Sequence, residues 1–252
     1  MNRKDMDFVL YRAIAQLKTE SSRAYMGYAW WILEPVLYLG VFYIVFGLIF
    51  DRGTPHYLDI LITGLVVWKW FDGAVRASMD SIHSNNGLIN RVYLPKLVFP
   101  GIAVAANTVK FLLILGLLLV FHAWRSGVSF QWFWLLGLVP LQLLLVVSAS
   151  FLVAAVTPFI PDLRLIFDKM MTLLFFLSGV FYGTSTIPES LQPWFNMNPM
   201  FALINAYRDV LVHHNSPSLT SLLSILGISL ATLLAGYYML VRYDRLYPRL
   251  NQ

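Results

Sequence analysis

The chain has 252 residues, 58% of them hydrophobic and 12% charged, with no cysteine and a formal net charge of +5. A soluble domain carries about 25% charged residues, so this composition excludes an ordinary water-soluble domain. The missing cysteines exclude disulfides, thiolate catalysis and cysteine-ligated metal.

Six apolar runs occupy most of the length: residues 31–50, 58–79, 101–123, 132–156, 165–182 and 219–241. Each approaches or exceeds the roughly 20 residues that a helix needs to cross a ~30 Å hydrocarbon layer. The expected fold class is an all-α integral membrane protein with six transmembrane helices in a single transmembrane domain, residues 1–252. The polar start through Asp5, and a first run that begins only near Trp31 and is too long for an h-region, argue against a cleavable signal peptide.

Ahead of the first run, residues 7–24 read as an amphipathic helix lying on the membrane. Leu10, Ala13, Ile14 and Leu17 share one face, and Arg12, Gln16, Thr19 and Arg23 form the opposite stripe. Such a helix is a lipid anchor, a docking site for a partner, or both.

The second run is the least suited to lipid. Lys69, Asp72 and Arg76 fall at i, i+3 and i+7 on one helix face, and Lys110 lies near the middle of the third run. Charges at that depth cost ~2.5–3.5 kcal/mol each on insertion scales, so they face the bundle interior or water. Two readings follow: a polar conduit wall, or an ion cluster in which Asp72 satisfies Lys69, Arg76 or Lys110 and fixes how the two helices pack.

The joint at residues 81–100 has turn formers at Ser84, Asn85, Asn86 and Gly87, then a short amphipathic piece and the helix punctuation of Pro95 and Pro100. It reads either as a plain connection or as one or two exposed helical turns. The joint at residues 183–218 is divided by Pro188, Pro193 and Pro199. Its apolar patches, 191–197 and 201–212, are too short to span and too apolar for a solvated loop, which fits re-entrant or interfacial helices.

Basic residues alternate between joints. Arg3, Lys4, Arg12, Lys18 and Arg23 precede the first run, and Arg91 and Lys96 follow the second. Arg164 and Lys169 lie after the fourth, and Arg242, Arg245 and Arg249 follow the sixth; the other joints hold only Arg52, Arg125 and Arg208. The positive-inside rule then places both termini in the cytoplasm. Most tryptophans mark run ends, as interfacial belts do. No P-loop, H-E-x-x-H or G-x-S-x-G sequence occurs, and the adjacent His213 and His214 point about 100° apart on a helix, a poor metal site. No metal site is expected.

Three segments carry a family resemblance. Arg23 through Pro35, with Gly27, Trp30 and Glu34, resembles the R-x-x-x-G-x-x-W…P signature of type-2 ABC exporter membrane subunits that move polysaccharides. Asn86-Gly-Leu-Ile-Asn-Arg-Val-Tyr-Leu-Pro95-Lys96, followed by Pro100, resembles that family's segment after its second span. Asn198-Pro199 with Arg208 resembles its N-P…R element. The likeness is greatest to the O-antigen exporters, then to capsule and teichoic acid exporters. Pro161-Asp162-Leu-Arg164 departs from the family's Arg-Asp order.

The resemblance implies an exporter subunit of the cytoplasmic (cell inner) membrane for a lipid-linked polysaccharide. This chain would be no enzyme and hold no cofactor of its own, with ATP and Mg on the partner. It would form a homodimer with two copies of a P-loop ATPase, among membrane lipids and without nucleic acid. Residues 7–24 would be the interface helix and 81–92 the coupling helix, with Arg12, Arg23, Gly27, Asn86, Leu88, Ile89 and Arg91 in ATPase coupling. Residues 185–212 would form periplasmic gate helices through Pro188, Trp194, Asn198, Pro199 and Arg208. Candidate glycan-contacting rings are Tyr25, Trp30, Trp31, Phe42, Phe175, Phe181 and Tyr182. A rival from another class is an ion-coupled carrier built on Asp72 and Lys69.

Overall fold

The computed structural model describes residues 3–23, 25–45, 56–85, 87, 94–160, 162–244 and 246–247. Among them the backbone is helical, with no strand. In chain order the helices are α1 (Arg3–Arg23), α2 (Trp30–Phe42), α3 (Tyr57–Met79), α4 (Val98–Ser126), α5 (Leu135–Val156), α6 (Leu163–Leu177), α7 (Gln192–Asn196), α8 (Pro199–Leu211) and α9 (Leu219–Arg242).

Among the described residues, four stretches are long and apolar enough to cross a membrane: Gly27–Val45, Val98–Ser126, Phe130–Val156 and Leu219–Arg242. They correspond to the first, third, fourth and sixth runs of the sequence. The second run is α3, whose 23 residues reach about 35 Å, but Asp59, Lys69, Asp72 and Arg76 make it less apolar than the other four. The fifth run does not form one continuous helix. Its α6 has 15 residues, about 22 Å, and stops where Gly179 takes φ +67. A Cβ there would also meet the Phe201 ring at 2.8 Å, so the turn is specific to glycine.

Helix α3 is the hub. Its buried residues, among them Leu61, Leu65, Trp68, Trp70 and Phe71, form a core with α4, α5 and α8. Trp70 stacks on Phe111 of α4 with ring centroids 4.0 Å apart. The buried Gln142 amide of α5 donates to the Val67 carbonyl at 2.8 Å. Helices α5 and α9 approach closely at Gly236, where a Cβ would lie 2.7 Å from the Leu152 nitrogen; small residues at such crossings let backbones meet.

The amphipathic N-terminal helix forms, but its apolar face is divided. Val9, Ala13 and Leu17 pack on Val98, Ile102 and Ala106 of α4. Leu10 and Ile14, expected on the same buried stripe, stay 55% and 64% exposed. The seam on α4 is narrow, so it takes the i, i+4, i+8 ridge and leaves the flanking positions outside.

By contrast, α2 contains no buried residue, and in α6 only Met171 is buried. These two helices meet α3 both through ion pairs and through partly buried apolar side chains, among them Leu39, Phe42, Leu174 and Phe175.

Candidate functional site

The charged face of α3 organises those contacts. Lys69 Nζ donates to Glu34 Oε1 of α2 at 2.6 Å and lies 4.0 Å from the Tyr38 ring centroid. Arg76 Nε donates to Asp72 Oδ1 at 2.7 Å. The same guanidinium pairs with the Asp168 carboxylate of α6 and donates to the Asp168 carbonyl at 3.3 Å. At the end of α3, Asp80 accepts from Arg164 Nη2 of α6 at 2.6 Å. Lys110 of α4 turns to Glu20 of α1 and sits 5.5 Å from the Trp31 ring centroid.

Of the partners that the sequence leaves open for Asp72, the structure pairs it with Arg76; Lys69 and Lys110 take carboxylates from other helices. The physical reason is reach: Glu34 and Glu20 come from elements that pack against α3 and α4 and so stand beside Lys69 and Lys110. Glu20 was absent from the sequence reading, and Glu34 entered only as a motif residue. A carboxylate four positions into the apolar α2 is itself a signal, since such a group requires a cationic partner nearby.

Four of the seven candidate rings converge where α2 and α6 meet above the ion pairs. Phe42 lies 5.2 Å from Phe181 and 5.7 Å from Phe175 between centroids, Phe175 and Phe181 are 5.1 Å apart, and Tyr182 follows at 6.0 Å from Phe181. Trp68 of α3 joins them 5.7 Å from Phe175. Tyr25, Trp30 and Trp31 do not join: Tyr25 is fully exposed, Trp30 is exposed and Trp31 stands edge-on to Tyr28 at 5.0 Å.

The proline-divided joint has a defined build. Asn198 caps α8, its side-chain oxygen accepting from the Met200 and Phe201 amides at 3.0 and 3.5 Å, and Pro199 occupies the first turn. The Asn198 amide also donates to Ser178 Oγ at 3.1 Å and the Leu177 carbonyl at 3.3 Å, tying α8 to the end of α6. The Pro188 carbonyl accepts from the Leu191 and Gln192 amides and starts α7, on which Trp194 is exposed.

Arg208 is not at a surface. Only 2% exposed, it donates to the Ile60 carbonyl through Nε and Nη2 at 3.1 and 3.0 Å. It further reaches the Val180 carbonyl at 2.8 Å and the Tyr182 carbonyl at 2.9 Å. One guanidinium thus staples α3, the turn after α6, and α8. Gly64 gives it room, since a Cβ there would lie 2.7 Å from Arg208 Nη2.

On the opposite side, Arg12 lines a cavity of ≈ 500 Å³ between α1, the end of α3 and the start of α4, with Gln16, Thr19, Ser81 and Asn85. Gly27 takes φ +52 after α1. Arg23 ends α1, with its side chain outside the described residues, and Asn86, Leu88, Ile89 and Arg91 lie outside them entirely.

Beside that cavity is a clamp that the sequence reading missed. Asp244, just after α9, accepts from the Lys96 amide at 2.9 Å ahead of α4, a negative charge at a helix N-terminus. Tyr247, fully buried, donates to the Ala155 carbonyl near the end of α5 at 3.0 Å. Burial pushes the Lys96 ammonium below its usual range, an effect that Asp244 opposes. The clue in the sequence was a lone aspartate, with Tyr243 and Tyr247, within a basic tail.

No family model matches the chain. Curated proteins do. It is 28% identical over 229 residues to the O-antigen export system permease protein RfbA of Myxococcus xanthus, covering 88% of this chain and 86% of that protein. It is 26% identical over 199 residues to RfbA of Klebsiella pneumoniae, covering 78% and 77%. It is 26% identical over 231 residues to the polysialic acid transport protein KpsM of Escherichia coli, covering 88% of each. The similarity to these O-antigen export permeases and to a polysialic acid transport protein therefore extends over most of the chain.

Proposed function

We propose that this chain is the membrane-spanning subunit of an ATP-driven exporter that moves a lipid-linked polysaccharide, of O-antigen type, across the cytoplasmic membrane. The observation that carries the proposal is the similarity to both RfbA and KpsM over 78% to 88% of the chain. An all-helical build with four stretches of spanning length supports it.

In this reading six segments cross the membrane, with α3 and the α6 segment completing the four apolar ones, and both termini are cytoplasmic. The charges of α3 are acceptable in lipid because every one of them is paired. Helices α7 and α8 are short re-entrant elements over the outer exit. Residues 1–252 form one domain, two copies of which enclose the path. Two P-loop ATPase chains dock below, on α1 and the joint at 81–92, and this chain contributes no ATPase site.

ATP-driven closure of the partners pushes α1 and the joint. The push reaches the core through the α1–α4 seam and Lys110–Glu20, and reaches α5 and α9 through the Asp244–Tyr247 clamp. Of the longer helices, α2 and α6 have the least burial; they move most readily and open the path. Deleting residues 1–24 while keeping the spans is expected to abolish co-purification of the ATPase partner. Unaltered binding by the truncated chain overturns the docking assignment.

A further inference from the structure

Two cavities join end to end between α2, α3 and α4. The first, of ≈ 170 Å³, is polar, with Glu34, Lys69, Asp72, Asn107 and Lys110 beside the Trp31 ring. The second, of ≈ 100 Å³, is lined by apolar side chains, among them Ile32, Val36, Leu65, Leu117 and Leu118. Pro35, Val66 and Ile114 line both, so the two form one groove. The helices around it leave it open: Ile32, Val36 and Leu117 are 40%, 52% and 46% exposed.

The groove is polar at the same end on every helix. Along α2, Glu34 precedes Val36 and Leu39, and along α4, Asn107 and Lys110 precede Leu117 and Leu118. Along α3, which runs the other way, Lys69 and Gly73 follow Ile62 and Leu65. From Ile62 to Gly73 the groove is about 16 Å long at 1.5 Å per residue, the depth of one leaflet of a ~30 Å core. In the orientation proposed above, its polar end faces the cytoplasm.

That end has hydrogen-bonding capacity of both kinds to spare. Lys69 and Lys110 each use one of three N–H donors, on Glu34 and on Glu20. Arg76 takes one oxygen of Asp72, and the Asn107 amide nitrogen donates to the Ala103 carbonyl. Among the described residues, the other Asp72 oxygen and the Asn107 side-chain oxygen have no hydrogen-bond partner. Gly73 lets the Asn107 oxygen come against α3 next to Asp72, since a Cβ there would lie 2.9 Å from it. Two cations and two carboxylates line this end, and the balance holds when their partners Arg76 and Glu20 are added. A balanced pocket suits a zwitterion, whereas a basic one suits an anionic headgroup.

We infer that the groove binds one phospholipid of the inner leaflet whose headgroup carries a primary ammonium, as phosphatidylethanolamine does. The ammonium donates to Asp72 and Asn107, the phosphate accepts from Lys69 and Lys110, and an acyl chain lies along the apolar part past Pro35 and Ile114. Phosphatidylcholine has no N–H for those acceptors, and phosphatidylglycerol has no cation. The lipid fills space beside α2, a helix with no buried residue of its own. The proposed orientation serves only to name the leaflet, and the exporter's cargo plays no part.

The test is native mass spectrometry of the full chain, released from mixed micelles holding equal amounts of phosphatidylethanolamine, phosphatidylcholine and phosphatidylglycerol with identical acyl chains. One retained lipid per chain is expected, with phosphatidylethanolamine about tenfold over each of the others, the ratio that one charge-assisted hydrogen bond supplies. Asn107→Leu removes an acceptor without changing charge and is expected to cut the preference over phosphatidylcholine to about threefold or less. Ile114→Trp closes the groove where its two parts join and is expected to abolish retention of every headgroup, while Gly227→Ala, outside the lining, leaves retention unchanged. Headgroup ratios are read within one sample, so loss of folded protein does not imitate them. Equal retention of the three headgroups, a preference for phosphatidylglycerol, an unchanged ratio in Asn107→Leu, or full retention in Ile114→Trp overturns the site. None of these results touches ATPase co-purification, so the exporter reading stands or falls separately.

Discussion

Arg208→Lys keeps the positive charge and removes the fork. In the wild-type chain the guanidinium satisfies the carbonyls of Ile60, Val180 and Tyr182 at 2.8–3.1 Å, inside a site 2% exposed. A lysine ammonium on a shorter, unbranched end reaches one of these directions and leaves two carbonyls buried without a donor. Each orphaned buried group costs about 1–3 kcal/mol, so the substitution destabilises by about 2–6 kcal/mol. For a chain of this size the lower bound corresponds to a fall of about 4–8 °C in Tm. Thermal unfolding of the detergent-purified chain, followed by tryptophan fluorescence, measures it. Gly64→Ala strikes the same node, since its Cβ would meet Arg208 Nη2 at 2.7 Å and the Val180 carbonyl at 2.8 Å. The double variant should therefore lose less than the sum of the single losses. A Tm within about 1 °C of wild type for Arg208→Lys, or strict additivity with Gly64→Ala, refutes the stapling role.

Other outcomes follow from the same geometry. Asp244→Ala removes a charged acceptor from the start of α4 and is expected to cost about 1–3 kcal/mol; in the reconstituted complex, ATPase activity should persist while glycan transport falls. Tyr247→Phe, which removes one buried donor from the Ala155 carbonyl, should show the same split more weakly, and intact transport in both variants removes the clamp from the mechanism. Exchanging charges as Glu34→Lys with Lys69→Glu should restore much of the expression and stability lost in Lys69→Glu alone, because that pair links α2 to α3; no rescue in a double-mutant cycle counts against it. Gly179→Ala forces a side chain into φ +67 and against the Phe201 ring, and should lower Tm by more than Gly227→Ala, whose Cβ meets nothing within 4 Å.

Much of this architecture is a property of the chain alone. Apolar runs of about 20 residues are helices wherever lipid removes water, because their backbone groups have no other partner. The locations of α3, α4, α5 and α9 could thus be read within a few residues. Punctuation was equally local: Asn198-Pro199 starts α8 through an Asx cap and a proline in the first turn, geometry that needs no distant partner. The family signature, too, lies in short contiguous segments.

What tertiary structure decided is pairing. The repeat of Lys69, Asp72 and Arg76 places three charges on one face, but their partners come from 35 positions upstream in Glu34 and 92 downstream in Asp168. Helical periodicity sees only i+3 and i+4, so it offers Asp72 as the carboxylate for these cations and leaves open which of them it takes. The same limit hid Arg208 inside the protein, where it binds carbonyls of α3 and of the turn after α6, and hid Asp244 under α4. A charge in an apolar chain announces that it must be satisfied; only the fold determines by whom, because the satisfying group is chosen by which helices pack together.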